Sequence, residues 1–314
     1  MDYKGTGVHV EEGKNFVKYI NDILPISTGF AAPFKLPTGY ENPVLVSGAD
    51  GVGTKLRIAN LVNSIPSHFC VGYDLVDMCV NDVITSGAKP LYFLDYIATG
   101  RLNQERMGHV IRGMWEGCQE SEMELIGGET AEMPKMYKGE EYDLAGFCTG
   151  IVEENEIVDG KLIKPGDQII GIQSSGLHSN GFSLINEMLW RHKIYLDETP
   201  ELLYKTIIYA PVVKTLLDEV PVLGMAHITG GGIPENLPRC LPEGLTAHVD
   251  YNSWPLPEIF SKVMLAGEIV EEEMKNVFNL GIGYCLVVPS ESVDDTQKVI
   301  DHHRLKSWVI GEVK

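Results

Sequence analysis

The chain has 314 residues, with 25 Lys and Arg against 44 Asp and Glu, a formal charge of −19, 44% hydrophobic and 22% charged residues. These proportions describe an ordinary globular protein, and the length suits two domains. The acidic balance excludes a nucleic-acid binder, which needs a basic face, and no apolar run approaches the roughly 20 residues that cross a bilayer.

The N-terminus, Met1-Asp2-Tyr3-Lys4-Gly5, lacks the charged and apolar regions of a signal peptide, so a cytoplasmic location is expected. Residues 2–24 read as an extended start and then a helix, with Phe16, Val17, Ile20, Ile23 and Leu24 at helical spacing and Pro25 as its stop. A small-residue loop, Ser27-Thr28-Gly29-Phe30-Ala31-Ala32, follows. A strand over 44–46 leads into Ser47-Gly48-Ala49-Asp50-Gly51-Val52-Gly53-Thr54-Lys55. Here Asp50 offers a hard oxygen for Mg²⁺, Gly51 and Gly53 permit close approach to an anion, and Lys55 supplies a compact positive charge. The same stretch also suits an Asp/Gly-rich hairpin turn.

Residues 72–85 read as one helix in which Asp74, Asp77 and Asn81 share a face and Asp82 sits one step round. Crowded acids repel unless a cation or strong hydrogen bonds hold them, although capping and simple exposure also fit. An apolar strand over 91–98, carrying Asp95, precedes a helix over 104–121. A short strand at 125–126 then meets a turn, Gly127-Gly128-Glu129-Thr130-Ala131-Glu132, and a strand over 142–152 closes the first half. The second half opens with a strand over 168–173 and the loop Ser174-Ser175-Gly176-Leu177-His178-Ser179-Asn180-Gly181, leading into a helix at Phe182. His227-Ile228-Thr229-Gly230-Gly231-Gly232 forms a second glycine-rich anion candidate. Glu271-Glu272-Glu273 reads as a solvated helix face. A turn at 279–284 feeds a strand over 285–289, and a helix over 296–303 and a strand over 308–311 end the chain. The six cysteines are scattered without zinc spacing and read as reduced thiols.

Taken in order, these stretches, with Tyr3-Lys4-Gly5-Thr6-Gly7-Val8 and Asp143-Leu144-Ala145-Gly146-Phe147, resemble the phosphoribosylformylglycinamidine cyclo-ligase (aminoimidazole ribonucleotide synthetase) family over nearly the whole chain. The resemblance implies an α+β/α/β protein: residues 1–158 as an ATP-binding half forming a dimeric β-barrel flanked by helices, and 159–314 as an α/β domain completing the site. It implies ATP-dependent ring closure of formylglycinamidine ribonucleotide, with ATP and Mg²⁺ as cofactors, in a homodimer that engages neither nucleic acid nor membrane. Phosphorylation of the formyl amide oxygen would create a leaving group for amidine attack, chemistry that rests on positioning and charge neutralisation. Asp50, Asp74, Asn81, Asp82 and Glu129 are then the expected metal set. Gly51, Gly53, Thr54, Lys55, Asp95, Thr229, Gly230, Gly231 and Gly232 are the expected ATP and phosphate contacts, and Ser179 and Asn180 the substrate contacts. His178, His227 and Lys55 are the expected catalytic residues.

The sequence departs from the family's usual pattern in a short glycine loop before the first strands, in Asn21 where lysine is common, and in Asp77 where a small residue is common. Rival readings are a related selenophosphate, thiamin-phosphate or hydrogenase-maturation ATP-dependent enzyme, and a non-catalytic nucleotide-binding scaffold. The first and third rivals in that list use terminal cysteines, whereas here the first cysteine is Cys70 and the chain ends Gly311-Glu312-Val313-Lys314.

Overall fold

The computed structural model describes residues 10–23 and 31–314. The 3–8 stretch, the helix stop at Pro25 and loop residues 27–30 lie outside them. The first half runs α1 (Val10–Ile23), β1 (Pro43–Gly51), α2 (Lys55–Val62), α3 (Ile65–Val83), β2 (Lys89–Thr99), α4 (Gln104–Glu120), β3 (Glu124–Glu132) and β4 (Tyr142–Glu153). Its sheet has the order β1-β4-β2-β3. β4 is antiparallel to β1 and β2, and β3 is parallel to β2, so α4 supplies the crossover that a parallel pair needs.

Two turns expected from the sequence are strand instead. Asp50 and Gly51 still pair in β1, opposite Gly146 and Ala145. Gly127, Gly128 and Glu129 pair in β3 with Leu94, Asp95 and Tyr96. Long partner strands offer ladder hydrogen bonds that outweigh the glycines' weak strand preference.

α3 begins at Ile65, seven residues before the expected start, because Ser64 and Ser67 form a reciprocal cap: Ser67 N–H donates to Ser64 Oγ at 3.3 Å and Ser64 N–H to Ser67 Oγ at 3.1 Å. It crosses α4 closely, since a Cβ at Gly72 would strike the Val110 carbonyl and one at Gly113 the Phe69 carbonyl. These helices cover the sheet face bearing Phe93, Asp95 and Ile97. On the opposite face the strand alternation places Leu45, Ser47, Tyr92, Leu94, Tyr96 and Phe147, and Leu45 and Phe147 are exposed.

The second half runs β5 (Gln168–Gln173), α5 (Phe182–Trp190), α6 (Ala210–Glu219), β6 (Gly224–His227), α7 (Gly232–Asn236), β7 (Ala247–Val249), α8 (Glu258–Gly267), α9 (Glu271–Val277), β8 (Ile282–Val288), α10 (Val293–His302) and β9 (Ser307–Val313). The sheet order is β6-β8-β5-β9-β7 and each of these pairings is antiparallel. Glu271, Glu272 and Glu273 are solvated on α9 as expected. All six cysteines are free thiols. One apolar core spans both halves, from Val76 and Phe93 through Ile208, Tyr209 and Val213 to Tyr284 and Ile300. Its continuity fixes the two sheets relative to one another and places the end of α3 against the β6 edge. Among the described residues no helix is long and apolar enough to cross a membrane.

Candidate active site

The polar residues of α3 and the start of α2 divide into two clusters. In the first, Lys55 is 0% exposed. Its ammonium pairs with Asp74 Oδ2 at 2.7 Å and donates to the carbonyls of His178 (3.0 Å) and Tyr204 (2.8 Å). Three N–H groups thus meet three acceptors. Asp74 Oδ1 accepts from Thr206 N–H at 2.8 Å. Asn81 donates to the Ile207 carbonyl at 2.9 Å and accepts from Tyr209 N–H at 2.9 Å. Residues 204–209 have no regular secondary structure, so their buried backbone groups need side-chain partners, and α3 provides them.

Lys55, expected to face phosphate, and Asp74 and Asn81, expected to face a metal, here all engage the strap that joins the halves. Asp77, one turn from Asp74, is buried, and neither carboxyl oxygen has a hydrogen-bond partner among the described residues. Burial first, then the charge of Asp74, holds it well above the usual carboxylate range.

The second cluster is open. Asp82 is displaced round α3 from Asp74 and Asn81, and its side chain is 51% exposed. Its Oδ1 lies 2.9 Å from His227 Nδ1 at the end of β6. Asp50 reaches the same neighbourhood from β1. Its carboxyl is raised by burial, lowered by the Gly51 N–H bonded to Oδ1 at 2.7 Å, raised by Asp82 and lowered by His227. A cavity of about 290 Å³ opens here, lined by Asp82, Thr85, His227, Asn236 and Arg239 among others. Asp82 therefore contacts an imidazole, and is not gathered with Asp74 and Asn81 as a metal set.

The two glycine-rich loops meet beside this cluster. His178 Nε2 accepts from Ser175 N–H at 3.2 Å, and its ring lies 6.3 Å from that of Tyr209. Burial, then the charges of His227 and Lys55, holds His178 well below the ordinary histidine value. Asn180 lies against Gly230, and its Nδ2 has no partner among the described residues. The Ser179 hydroxyl lies 3.5 Å from that of Thr206. Gly231 and Gly232 have φ of +89° and +59°, and a Cβ at Gly232 would strike the Lys275 carbonyl. The loop's curvature therefore needs glycine there for steric reasons. Asn236 braces it by donating to the carbonyls of Gly230 (3.0 Å) and Gly232 (2.8 Å), while the Thr229 hydroxyl lies 3.4 Å from Asn236 Oδ1. Thr54, just before α2, touches Ser183 through its hydroxyl at 3.1 Å, and Gly53 turns the chain with φ of +70°.

Two expected ligands fall elsewhere. Asp50, Gly146, Asp95 and Gly128 form one row across the sheet. Asp95 is buried beneath the helices, packed over Gly128, and its carboxyl is pushed up to about 7, chiefly by burial. Glu129 is one residue further, opposite Tyr96, and so belongs to the open face. Among the described residues no three metal-ligating side chains gather as a cluster. Mg²⁺ asks less of a protein, one or two carboxylates with waters and phosphate oxygens making up the rest, and half-buried Asp50 meets that demand.

Sequence reasoning missed Tyr209, Tyr284, Asn236, Arg239 and the 204–209 strap. Apart from its Tyr-Ala-Pro helix start, that strap carries no motif, and its role is set by what α3 places opposite it.

The chain matches the family described as "AIR synthase related protein, N-terminal domain" over residues 31–152 and "AIR synthase related protein, C-terminal domain" over 164–314. It is 50% identical to the phosphoribosylformylglycinamidine cyclo-ligase of Prochlorococcus marinus (strain MIT 9211), with 100% of this chain and 96% of the relative covered. It is 49% identical to that of Synechococcus sp. (strain CC9902), covering 100% and 95%. Among solved structures it is similar in fold to E. coli HypE, with a TM-score of 0.70, 16% identity and coverage of 98% and 91%. The hydrogenase maturation protein HypE in complex with ATP gives 0.69, 19%, and coverage of 95% and 86%. The thiamine-monophosphate kinase of Stenotrophomonas maltophilia K279a gives 0.66, 15%, and coverage of 96% and 92%.

Proposed function

This chain belongs to the phosphoribosylformylglycinamidine cyclo-ligase family, and from that premise we propose how its residues carry the reaction. The protein is an ATP-dependent C–N ligase of purine biosynthesis that closes formylglycinamidine ribonucleotide to aminoimidazole ribonucleotide with release of ADP and phosphate. The observation that carries the site assignment is the contact of Asp82 with His227 beside one cavity, with Asp50 close enough to feel the charge of both and Asn180 of the His178 loop against Gly230. The division into halves falls near residue 158, between β4 and β5.

Asp50 would hold Mg²⁺ together with phosphate oxygens, and the bound ion would supply charge neutralisation during phosphoryl transfer. Arg239, which lines the cavity, and the Gly230 loop, braced by Asn236, would take phosphate oxygens, and Asn180, against Gly230, would meet the substrate. His227 and His178 face the reacting groups. ADP release that depends on formylglycinamidine ribonucleotide tests the reading, and ATP binding without substrate-dependent ADP would overturn it.

A second copy of the chain covers the open face of the first sheet, because Leu45 and Phe147, 51% and 45% exposed, lie there with Tyr92, Leu94 and Tyr96. Glu129 lies on that face and would be enclosed by the pairing. Sedimentation should give twice the chain mass of 34.7 kDa, and a monomer at micromolar concentration would remove the homodimer from this account.

A further inference from the structure

The turn between β1 and α2 crosses from one half of the molecule to the other. Asp50 still belongs to the first sheet, paired opposite Gly146. α2, which follows the turn, lies between two apolar cores. Leu56 and Ala59 join the core shared by both halves, whereas fully buried Ile58 packs in a cluster of the second half with Leu177, Phe182 and Ile185. Lys55 Nζ stands 5.5 Å from the centroid of the Phe182 ring and donates to the His178 carbonyl at 3.0 Å. Residues 51–54 are therefore a bridge from the sheet that carries Asp50 to the helix α5 and the loop before it.

Two side chains of α5 close on that bridge from the solvent side. Asn186 Nδ2 donates to the Thr54 carbonyl at 2.8 Å and to the Phe182 carbonyl, one turn back in its own helix, at 2.7 Å. An amide nitrogen carries two N–H groups, so both are used, and the bond to Phe182 aims the other at Thr54. The Thr54 carbonyl also accepts from Arg57 N–H at 3.1 Å, which fills its second lone pair. Thr54 stands at the N-cap of α2, where a threonine hydroxyl ordinarily accepts from the helix's own amides. Here it makes no such bond and lies 3.1 Å from the Ser183 hydroxyl instead. The cap is given up for a contact with the other half.

The bridge needs that outside support. Gly51 and Gly53, the latter at φ +70°, have the least restricted backbone of any residue type, so the turn holds its own shape weakly. Its position is passed directly to Asp50, because Gly51 N–H donates to Asp50 Oδ1 at 2.7 Å.

We infer that Asn186, assisted by Ser183, is a positioning residue: it locks the 51–54 turn to α5 and so sets the Asp50 carboxylate relative to the second half. This rests on the cyclo-ligase reading for the role of Asp50. Both contacts reach solvent, so water can replace either bond with little loss of stability, but water does not fix the place of the turn. Phosphoryl transfer is sensitive to that place, since a misplacement of about 1 Å can cost about 10²-fold in rate.

The test reads structure and turnover separately. Amide hydrogen exchange of the substrate-free protein follows Leu56 and Arg57, whose N–H groups donate to the Gly53 and Thr54 carbonyls. Asn186→Leu should speed both at least about fivefold and leave the β5 amides unchanged. In steady-state kinetics its kcat should fall at least about fivefold with the urea midpoint unchanged, and Asn186→Gln, which keeps the donor, should recover at least about half of that loss. Ser183→Ala, an exposed change, should speed the same two amides at least about twofold, and it decides the matter if Asn186→Leu does not fold. Smaller changes in exchange, or a lowered midpoint with kcat per folded molecule retained, would overturn the latch and leave Asn186 a structural residue. The exchange arm needs no turnover, so a chain lacking substrate-dependent ADP release would refute the cyclo-ligase reading while the latch was still decided.

Discussion

The closed cluster of Lys55, Asp74, Asp77 and Asn81 and the open cluster of Asp50, Asp82 and His227 contain the same kinds of residue and share one helix. In the closed cluster, every polar group except the Asp77 carboxyl is met by backbone of the 204–209 strap or by another member. In the open cluster, valences are left over: His227 Nε2 has no partner among the described residues, and Asp82 is half in solvent. The difference teaches that an acid-rich helix face is no guide to chemistry until its hydrogen bonds are counted. Satisfied groups hold the fold, whereas an unpaired group beside a cavity is available to a ligand.

The largest effect that could break this comparison comes from a pair of substitutions. Lys55→Met strands the buried Asp74 charge and should cost about 3–5 kcal/mol of folding stability in urea titration. Asp50→Asn should leave the unfolding midpoint within about 0.5 kcal/mol while lowering ATP-dependent turnover about 100-fold. A stable Lys55→Met variant whose defect was confined to ATP affinity would reverse the two roles.

A smaller effect concerns Asp95, which shares the row of Asp50 but lies beneath the helices. Its folded value of about 7 is raised from 3.8, so the folded state binds the extra proton between those values. Wild-type stability from this group is present below pH 4 and is lost as pH rises through 7. The stability of Asp95→Asn relative to wild type should therefore rise by about 2 kcal/mol between pH 5 and pH 7. A flat difference in thermal unfolding across that range would place Asp95 in contact with water or a cation.

Much of the fold was legible because hydrophobic period and punctuation act locally. The β5 strand, the α4 helix and the start of α5 fell where alternation and glycine placed them. Gly127 and Gly128 were misread as a turn because their strand is held by a parallel partner thirty-odd residues away, which no local signal reports. Of the candidate site, Asp50 and the two histidine loops were singled out from residue type and context, and the fold brings Asp82 to His227 and Asn180 to Gly230. For Lys55, Asp74 and Asn81 the sequence carried no sign of the strap that engages them, which is more than a hundred residues distant.

The sequence by itself determined the family, the alternation that builds each sheet and the small set of residues able to serve phosphate, metal and amide chemistry. Tertiary structure alone decided which of them remain free. Whether a carboxylate or an ammonium is a ligand or a clasp depends on the backbone that folding brings opposite it, and that pairing is a long-range property absent from any short stretch of chain.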